Sequence, residues 1–316
     1  MNTVTERLLE LLDQNGCKGR IIAHQELPEL KKELVRLYND GQINPGFYEN
    51  YLPRFIFDYS ERFPKARSII LIAFPQPIVS LSFYWMGKAR HTLYPPGYIS
   101  QGADDLMEEK LRSFLHEENC TLTRASLPLK LLAVRSGLSW YGRNNISYVE
   151  GMGSLNRLAA WVSDLPAGEA LLPESRRMPQ CDNCLACLKA CPTGSISKER
   201  KLIEPLTCLT YSNEDPGPFP NWLDTSLNHA VVGCLRCQAA CPKNKSRLEP
   251  VSWDTPFTEE DTHWLIKEAS LDSLPEGLRT KLDRLNLDGY YSTGVLTRNL
   301  RLLFEKDTAE DMRPLA

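Results

Sequence analysis

Apolar residues recur three and four apart over 4–14 and again over 28–40, the spacing that lines one face of a helix, and Gly41 closes the second segment. Residues 68–74 are continuously apolar and rich in β-branched side chains, which predicts a buried strand ended by Pro75 and Pro77. A second strand is expected over 79–85, a charged amphipathic helix over 104–118, and an alternating strand over 120–126. Ser126 with Pro128 opens a helix through Ser136, and Gly137 stops it. Residues 146–149, the Gly151-Met152-Gly153 turn and 155–165 predict a hairpin-like return. Helical and extended patterns thus alternate over the first half of the chain, as in an α/β or α+β domain.

A Pro- and Arg-rich stretch, 172–179, marks an expected boundary, and residues 251–316 show helical patterns without cysteine. The division this predicts is 1–172, 173–250 and a short helical tail, 251–316.

Composition changes this picture little. The chain has 316 residues, 24% charged and 42% hydrophobic, with a net charge of -3, which supports a sizeable core and excludes a disordered chain. The longest apolar run is Ile69 to Phe74, against the roughly 20 residues that cross a bilayer, and the amphipathic start lacks a signal-peptide pattern. A cytoplasmic protein with no membrane partner and reduced thiols is expected.

The cysteines add chemistry. Of ten, eight (Cys181, Cys184, Cys187, Cys191, Cys208, Cys234, Cys237 and Cys241) lie between 181 and 241, and Cys184-x2-Cys187-x3-Cys191-Pro192 repeats as Cys234-x2-Cys237-x3-Cys241-Pro242. Structural zinc generally uses two cysteine knuckles a dozen or more residues apart, and Cys181-x2-Cys184-x2-Cys187-x3-Cys191 is packed too tightly for that. The run has the bacterial ferredoxin signature, in which three cysteines hold one 4Fe-4S cube and the fourth serves the other cluster. Two-residue gaps wrap the backbone around three corners of a cube and leave its N–H groups free for the sulfides, while the cysteine before proline leaves the loop. Counting assigns Cys181, Cys184, Cys187 and Cys241 to cluster one, and Cys191, Cys234 and Cys237 to cluster two. Cys208 is the one further thiol in the segment, although its Leu-Thr-Cys-Leu-Thr setting also suits a buried apolar residue. Cys17 and Cys120 have no partners at ligand spacing.

Residues 126–154 (SLPLKLLAVRSGLSWYGRNNISYVEGMGS) gather Lys130, Arg135, Trp140, Tyr141, Arg143, Asn144, Asn145 and Tyr148 around glycine turns. This suits a large cofactor with amide and phosphate edges, or a helix, loop and strand whose polar groups are capping and solvated. Gly151-Met152-Gly153 starts like a dinucleotide fingerprint but lacks its third glycine, and neither a P-loop lysine motif nor an Asp-x-His-x-x-Gly corrinoid motif is present.

Ala133-Val134-Arg135-Ser136-Gly137-Leu138, the Trp140-Tyr141-Gly142-Arg143-Asn144 turn, Gly153-Ser154, Asp164-Leu165-Pro166 and the eight cysteines with their prolines together give the chain its resemblance. It resembles the epoxyqueuosine reductase family and the wider double-cluster 4Fe-4S proteins related to reductive dehalogenases. The resemblance implies a nitroreductase-like α/β domain holding cobalamin without a protein ligand from below, followed by a bacterial ferredoxin-like domain with two 4Fe-4S clusters. The adjacent cluster would reduce the cobalt, and the second would relay electrons from a flavodoxin- or ferredoxin-type donor. Cofactor-binding candidates are Lys130, Arg135, Tyr141, Arg143, Asn144, Asn145, Gly153 and Ser154, and Tyr141, Tyr148 and Arg143 are candidate acids or hydrogen-bond donors. A structural role is open for each.

Members acting on epoxyqueuosine carry an acidic proton donor in an Asp-Ser-Ala-Pro-like stretch before the helix. Here that stretch reads Thr121-Leu122-Thr123-Arg124-Ala125-Ser126-Leu127-Pro128, with no carboxylate. The tail is shorter than the family's helical extension and acidic, with eight Lys+Arg against thirteen Asp+Glu, which disfavours a grip on a tRNA backbone. The expected substrate is a small molecule or modified nucleoside other than epoxyqueuosine in tRNA. A 4Fe-4S electron-transfer protein, or a flavin-using reductase serving a partner protein, is the alternative. The five histidines show no ligand spacing, and the aromatic stretch Phe47, Tyr48, Tyr51, Phe55, Phe57, Tyr59 reads as packing or as a substrate cage.

Overall fold

The computed structural model describes residues 3–99, 102–166, 169–267 and 269–305, so the last part of the tail expected over 251–316 lies outside the described residues. In chain order the elements begin α1 (Val4–Gln14), β1 (Lys18–Ala23), α2 (Leu27–Asn39), α3 (Pro45–Tyr51), β2 (Ser68–Pro75), β3 (Val79–Trp85), β4 (Lys88–Tyr94) and α4 (Ala103–Glu117). They continue with β5 (Leu122–Arg124), α5 (Leu129–Arg135), β6 (Ser139–Tyr141), β7 (Ser147–Val149), β8 (Asn156–Ser163), α6 (Ala186–Ala190), α7 (Leu209–Glu214) and α8 (Arg236–Ala239). Last come β9 (Val251–Ser252), α9 (Glu259–Ile266), α10 (Glu276–Arg284), α11 (Asp288–Ser292) and α12 (Val295–Glu305).

Compactness divides the chain into two units, and not at 172 and 250. The first holds 1–75, 103–184 and 198–204, and the second holds 76–102, 185–197 and 205–316. In the first unit a sheet of order β1-β2-β8-β5 has every neighbour antiparallel. The pleat explains the apolar run of β2, because successive side chains point to opposite faces and both faces are covered by helices. Ile70, Ile72 and Phe74 meet Leu8 and Leu12 of α1, Leu111 and Leu115 of α4, and Trp161. Ile69, Leu71 and Ala73 meet Leu27 and Leu30 of α2 and Leu131 to Ala133 of α5.

In the second unit β3 and β4 form a hairpin whose turn, Met86-Gly87, has φ of 51° and 71°, and β9 adds a short parallel pair to β3. One face of β3 (Val79, Leu81, Phe83) is apolar and must be covered. Phe257, Leu265, Leu296 and Leu300 supply that cover, with Phe83 stacked on Phe257 at 4.5 Å between ring centres. The tail is therefore no separate body: its helices and the 79–94 hairpin share one core, together with Val231 and Val232.

The helices over 4–14, 28–40 and 104–118 and the strands over 68–74 and 79–85 form within a residue or two of their expected bounds. The expected hairpin is displaced. β7 pairs with β6, touches the Gly153 turn through one bridge at Val149, and β8 runs on into the main sheet. The aromatic stretch is mostly half-buried: Phe47 stacks on Tyr51 and Tyr48 on Tyr38, each at 4.2 Å, while of the six only Tyr59 is buried.

Candidate functional site

The β6–β7 hairpin positions most of the expected cofactor residues, in the first unit. The Gly142 N–H donates to the Ile146 carbonyl at 2.8 Å and the Asn145 N–H to the Gly142 carbonyl at 3.0 Å, with Asn145 left-handed at φ 59°. A side chain at Gly142 would collide with Asn144 Oδ1 and the Tyr148 ring, so the turn needs glycine. Asn144 Nδ2 donates to the Tyr148 hydroxyl at 3.0 Å, joining two buried expected residues to each other. The Arg143 guanidinium, also buried, donates from Nη2 to the carbonyl of Cys181 at 2.6 Å, and its Nε has no partner. Arg143 therefore orients the backbone at the first expected ligand cysteine. The chain before that cysteine is strapped to β6, the Tyr141 N–H donating to Arg176 and the Met178 N–H to Tyr141, at 2.8 and 2.9 Å.

Arg135 is placed otherwise than its expected cofactor role. It lies in the apolar face of α5, donates from Nη1 to Glu33 of α2 and from Nε to the Leu172 carbonyl, and both members of the ion pair are fully buried. Tyr141 stands near this pair, and burial, with the Glu33 charge added, pushes its phenol above the usual range. Lys130 is exposed, Ser154 is buried, and Gly153 turns the chain at φ 62°. Ser126 is held by the Tyr59 hydroxyl at its N–H and by the Arg54 carbonyl at its Oγ, both at 2.6 Å, in the stretch that lacks a carboxylate.

Cys181 and Cys184 belong to the first unit, and Cys187, Cys191, Cys208, Cys234, Cys237 and Cys241 to the second. There the repeat becomes structural: Cys187 lies in α6 and Cys237 in α8, and the two short helices pack together. Proline excludes the helical region from the residue before it. Cys191 (φ -75°, ψ 113°) and Cys241 (φ -76°, ψ 123°) are accordingly extended and leave their loops.

Cys191, Cys208 and Cys234, from three separated stretches, come within electrostatic reach of one another. Burial pushes the Cys208 and Cys234 thiols up, and the neighbouring sulfurs push further. Burial acts on Cys191 too, but hydrogen bonds from the Thr193 amide and hydroxyl and from the Ile196 and Ser195 amides outweigh it and lower that thiol. Amides of Thr210 and Tyr211, at the start of α7, face Cys208. Hydroxyls of Thr193, Ser195 and Thr207 run in a chain at 3.0 and 3.2 Å between the two loops. Gathered half-buried thiols that face amide hydrogens and would repel one another once ionised are a site that a polynuclear cation would stabilise as thiolates. Among the described residues no three His, Cys, Asp or Glu side chains form a group for a single metal ion. Burial raises the Cys17 and Cys120 thiols, and both stand in the first unit.

Sequence reasoning missed His229, whose ring lies in the loop before Cys234 (Nε2 3.1 Å from the Leu235 nitrogen) with no ligand spacing to signal it. It also missed Tyr98, which packs over Gly233.

Residues 180–244 match the 4Fe-4S double cluster binding domain, so the fold and the cysteine pattern define a double-cluster iron–sulfur protein on a mixed α/β scaffold. The chain is similar in sequence to epoxyqueuosine reductases. It is 25% identical to epoxyqueuosine reductase of Leadbetterella byssophila over 84% of this chain and 91% of that one. With the enzyme of Listeria monocytogenes it is 26% identical over 68% of this chain and 56% of the relative, and with that of Francisella cf. novicida 30% identical over 45% and 38%. The chain thus spans about half the length of these last two. Among solved structures, epoxyqueuosine reductase from Streptococcus thermophilus aligns with TM-score 0.64 at 17% identity, covering 96% of this chain and 82% of that one, which is a likeness of fold. An epoxyqueuosine reductase solved with an epoxyqueuosine-modified tRNA-Tyr stem loop aligns with TM-score 0.64 at 19% identity over 95% and 80%. No described helix is long and apolar enough to cross a membrane.

Proposed function

We propose that the chain is an iron–sulfur oxidoreductase that takes single electrons from an external flavodoxin- or ferredoxin-type donor, passes them through two 4Fe-4S clusters, and reduces a substrate other than epoxyqueuosine in tRNA. Cys181, Cys184, Cys187 and Cys241 hold cluster one; Cys191, Cys208, Cys234 and Cys237 hold cluster two. The observation that carries this is the convergence of Cys191, Cys208 and Cys234, all half-buried, on one site with amides directed at their sulfurs. The clusters supply one-electron chemistry, and the protein supplies thiolates, hydrogen bonds and exclusion of water. The substrate reading is supported by residues 121–128: they hold no carboxylate, and their Arg124 is paired with Glu108 and Asp105.

The resemblance implies cobalamin as the electron acceptor. Arg135 and Asn144 are engaged in internal bonds, Arg143 commits Nη2 to the Cys181 carbonyl, and Asn145 and Gly153 shape turns, so these five of the eight residues expected to grip it do not fit a large amide-edged cofactor. Anaerobic reconstitution followed by metal and sulfide analysis tests the proposal. About eight irons per chain are expected, and stoichiometric zinc with little iron overturns the cluster reading. Cobalt retained from added cobalamin overturns the misfit, whereas iron without cobalt supports an electron-transfer protein or flavin-using reductase.

A further inference from the structure

The two halves of the cysteine repeat differ at one backbone amide. In the second half, the N–H of Leu235, directly after Cys234, donates to His229 Nε2 at 3.1 Å. The Nδ1 of the same ring lies 3.1 Å from the Leu227 carbonyl, so Nδ1 carries the proton and Nε2 is left as an acceptor. Arg236 reaches the same Leu227 carbonyl from Nη2 at 3.2 Å, closing a local network around the loop. On the other side of Cys234, Gly233 is left-handed at φ 73°, and any side chain there would collide with the Tyr98 hydroxyl, which is held by Glu214. Gly233 thus leaves room for the Tyr98 ring, and the Leu235 amide cannot turn away from the imidazole without breaking its hydrogen bond. The corresponding residue in the first half is Leu185, after Cys184, and its N–H has no partner among the described residues.

Backbone N–H groups near a 4Fe-4S cluster stabilise the extra negative charge of its reduced form, so each amide that bonds a sulfide raises the reduction potential. We propose that His229 is a positioning residue that withholds the Leu235 amide from cluster two and so keeps that cluster more reducing than cluster one, whose Leu185 amide is free. This rests on the two-cluster reading above and deepens it by giving electron flow a direction. An electron from the donor enters the more reducing cluster two and runs down to cluster one. No proton or bond is exchanged in that step; one cluster is oxidised and the other reduced by a single electron.

The test is an EPR-monitored redox titration of the reconstituted full chain, with the cluster-two signal identified by its change in Cys208→Ser. Two midpoints are expected in the unaltered protein, cluster two the lower. His229→Phe fills the space without an acceptor and should move that midpoint to more positive values while cluster one stays in place. His229→Gln, whose side-chain oxygen can accept the same N–H, should keep it low. An unchanged midpoint in His229→Phe, an equal shift of both clusters, or a higher midpoint for cluster two in the unaltered protein overturns the inference. If His229→Phe fails to hold cluster two, His229→Met takes its place. Loss of the cluster in both reduces His229 to a structural clamp and overturns the tuning role. Failure of the unaltered protein to take up iron and sulfide refutes the two-cluster reading instead, so the two failures are distinct.

Discussion

Replacing Arg135 by methionine tests whether it is a cofactor ligand or a member of the core. Its guanidinium and the Glu33 carboxylate are 6% and 4% exposed, and Nε also holds the Leu172 carbonyl. Removing the cation leaves a carboxylate buried in the apolar stripe of α2 beside Leu30 and Leu37, and uncompensated buried charges of this kind cost about 3–5 kcal/mol. With a urea dependence of about 2–3 kcal/mol per M, the unfolding midpoint followed by far-UV circular dichroism should fall by about 1–2 M. The double variant Glu33→Leu with Arg135→Met removes both charges and should recover most of the loss, because an apolar pair of similar volume substitutes for a buried ion pair at little cost. A fall of less than about 1 kcal/mol in Arg135→Met, or a double variant no better than the single, would refute the account. Full stability of the double variant with loss of a bound cofactor would restore the cofactor role.

Cys208→Ser should lower iron from about eight to about four per chain, while Cys120→Ser leaves it unchanged; equal iron in both variants removes Cys208 from the ligand set. Gly142→Ala should destabilise the chain by about 1–3 kcal/mol in a chemical denaturation, since its Cβ collides with Asn144 and Tyr148; a neutral result would mean the turn relaxes freely. Burial works to raise the Glu108 carboxyl, but hydrogen bonds from Trp161, Arg124 and Arg112 outweigh it and hold it at about 2. A folded value below the unfolded one means that stability is present above the unfolded pKa of about 4.3 and is lost as pH falls through about 2. Glu108→Gln should then cost about 1 kcal/mol at neutral pH, discounted for the exposed arginine partners, with the difference closing on acidification. A difference that persists in acid would point to packing instead.

Much of the first unit is visible in its local pattern. The β2 run, the stripe of α1 and the amphipathic α4 each bury what their periodicity says they bury. β1 and β4 escape that reading, because Lys18–Ala23 is a short strand with little alternation and Lys88–Tyr94 is half exposed. Of the candidate cofactor residues, Arg135 and Arg143 illustrate the limit of composition: a charged side chain in a glycine-rich segment looks available until its partner, Glu33 on a distant helix or the carbonyl of Cys181, is in view.

By itself, the chain's order of residues determined the chemistry of the cysteine segment, because a cluster motif is local: spacing, repeat and the proline after the last cysteine act within a few residues, and the extended backbone at Cys191 and Cys241 follows from them. Tertiary structure decided everything that depends on residues far apart. It brought Cys208 toward Cys191 and Cys234 and joined the 79–94 hairpin to the C-terminal helices in one core. It also set His229 on one of two otherwise equivalent amides. Burial and electrostatic reach act through space, and a sequence orders residues only along the chain.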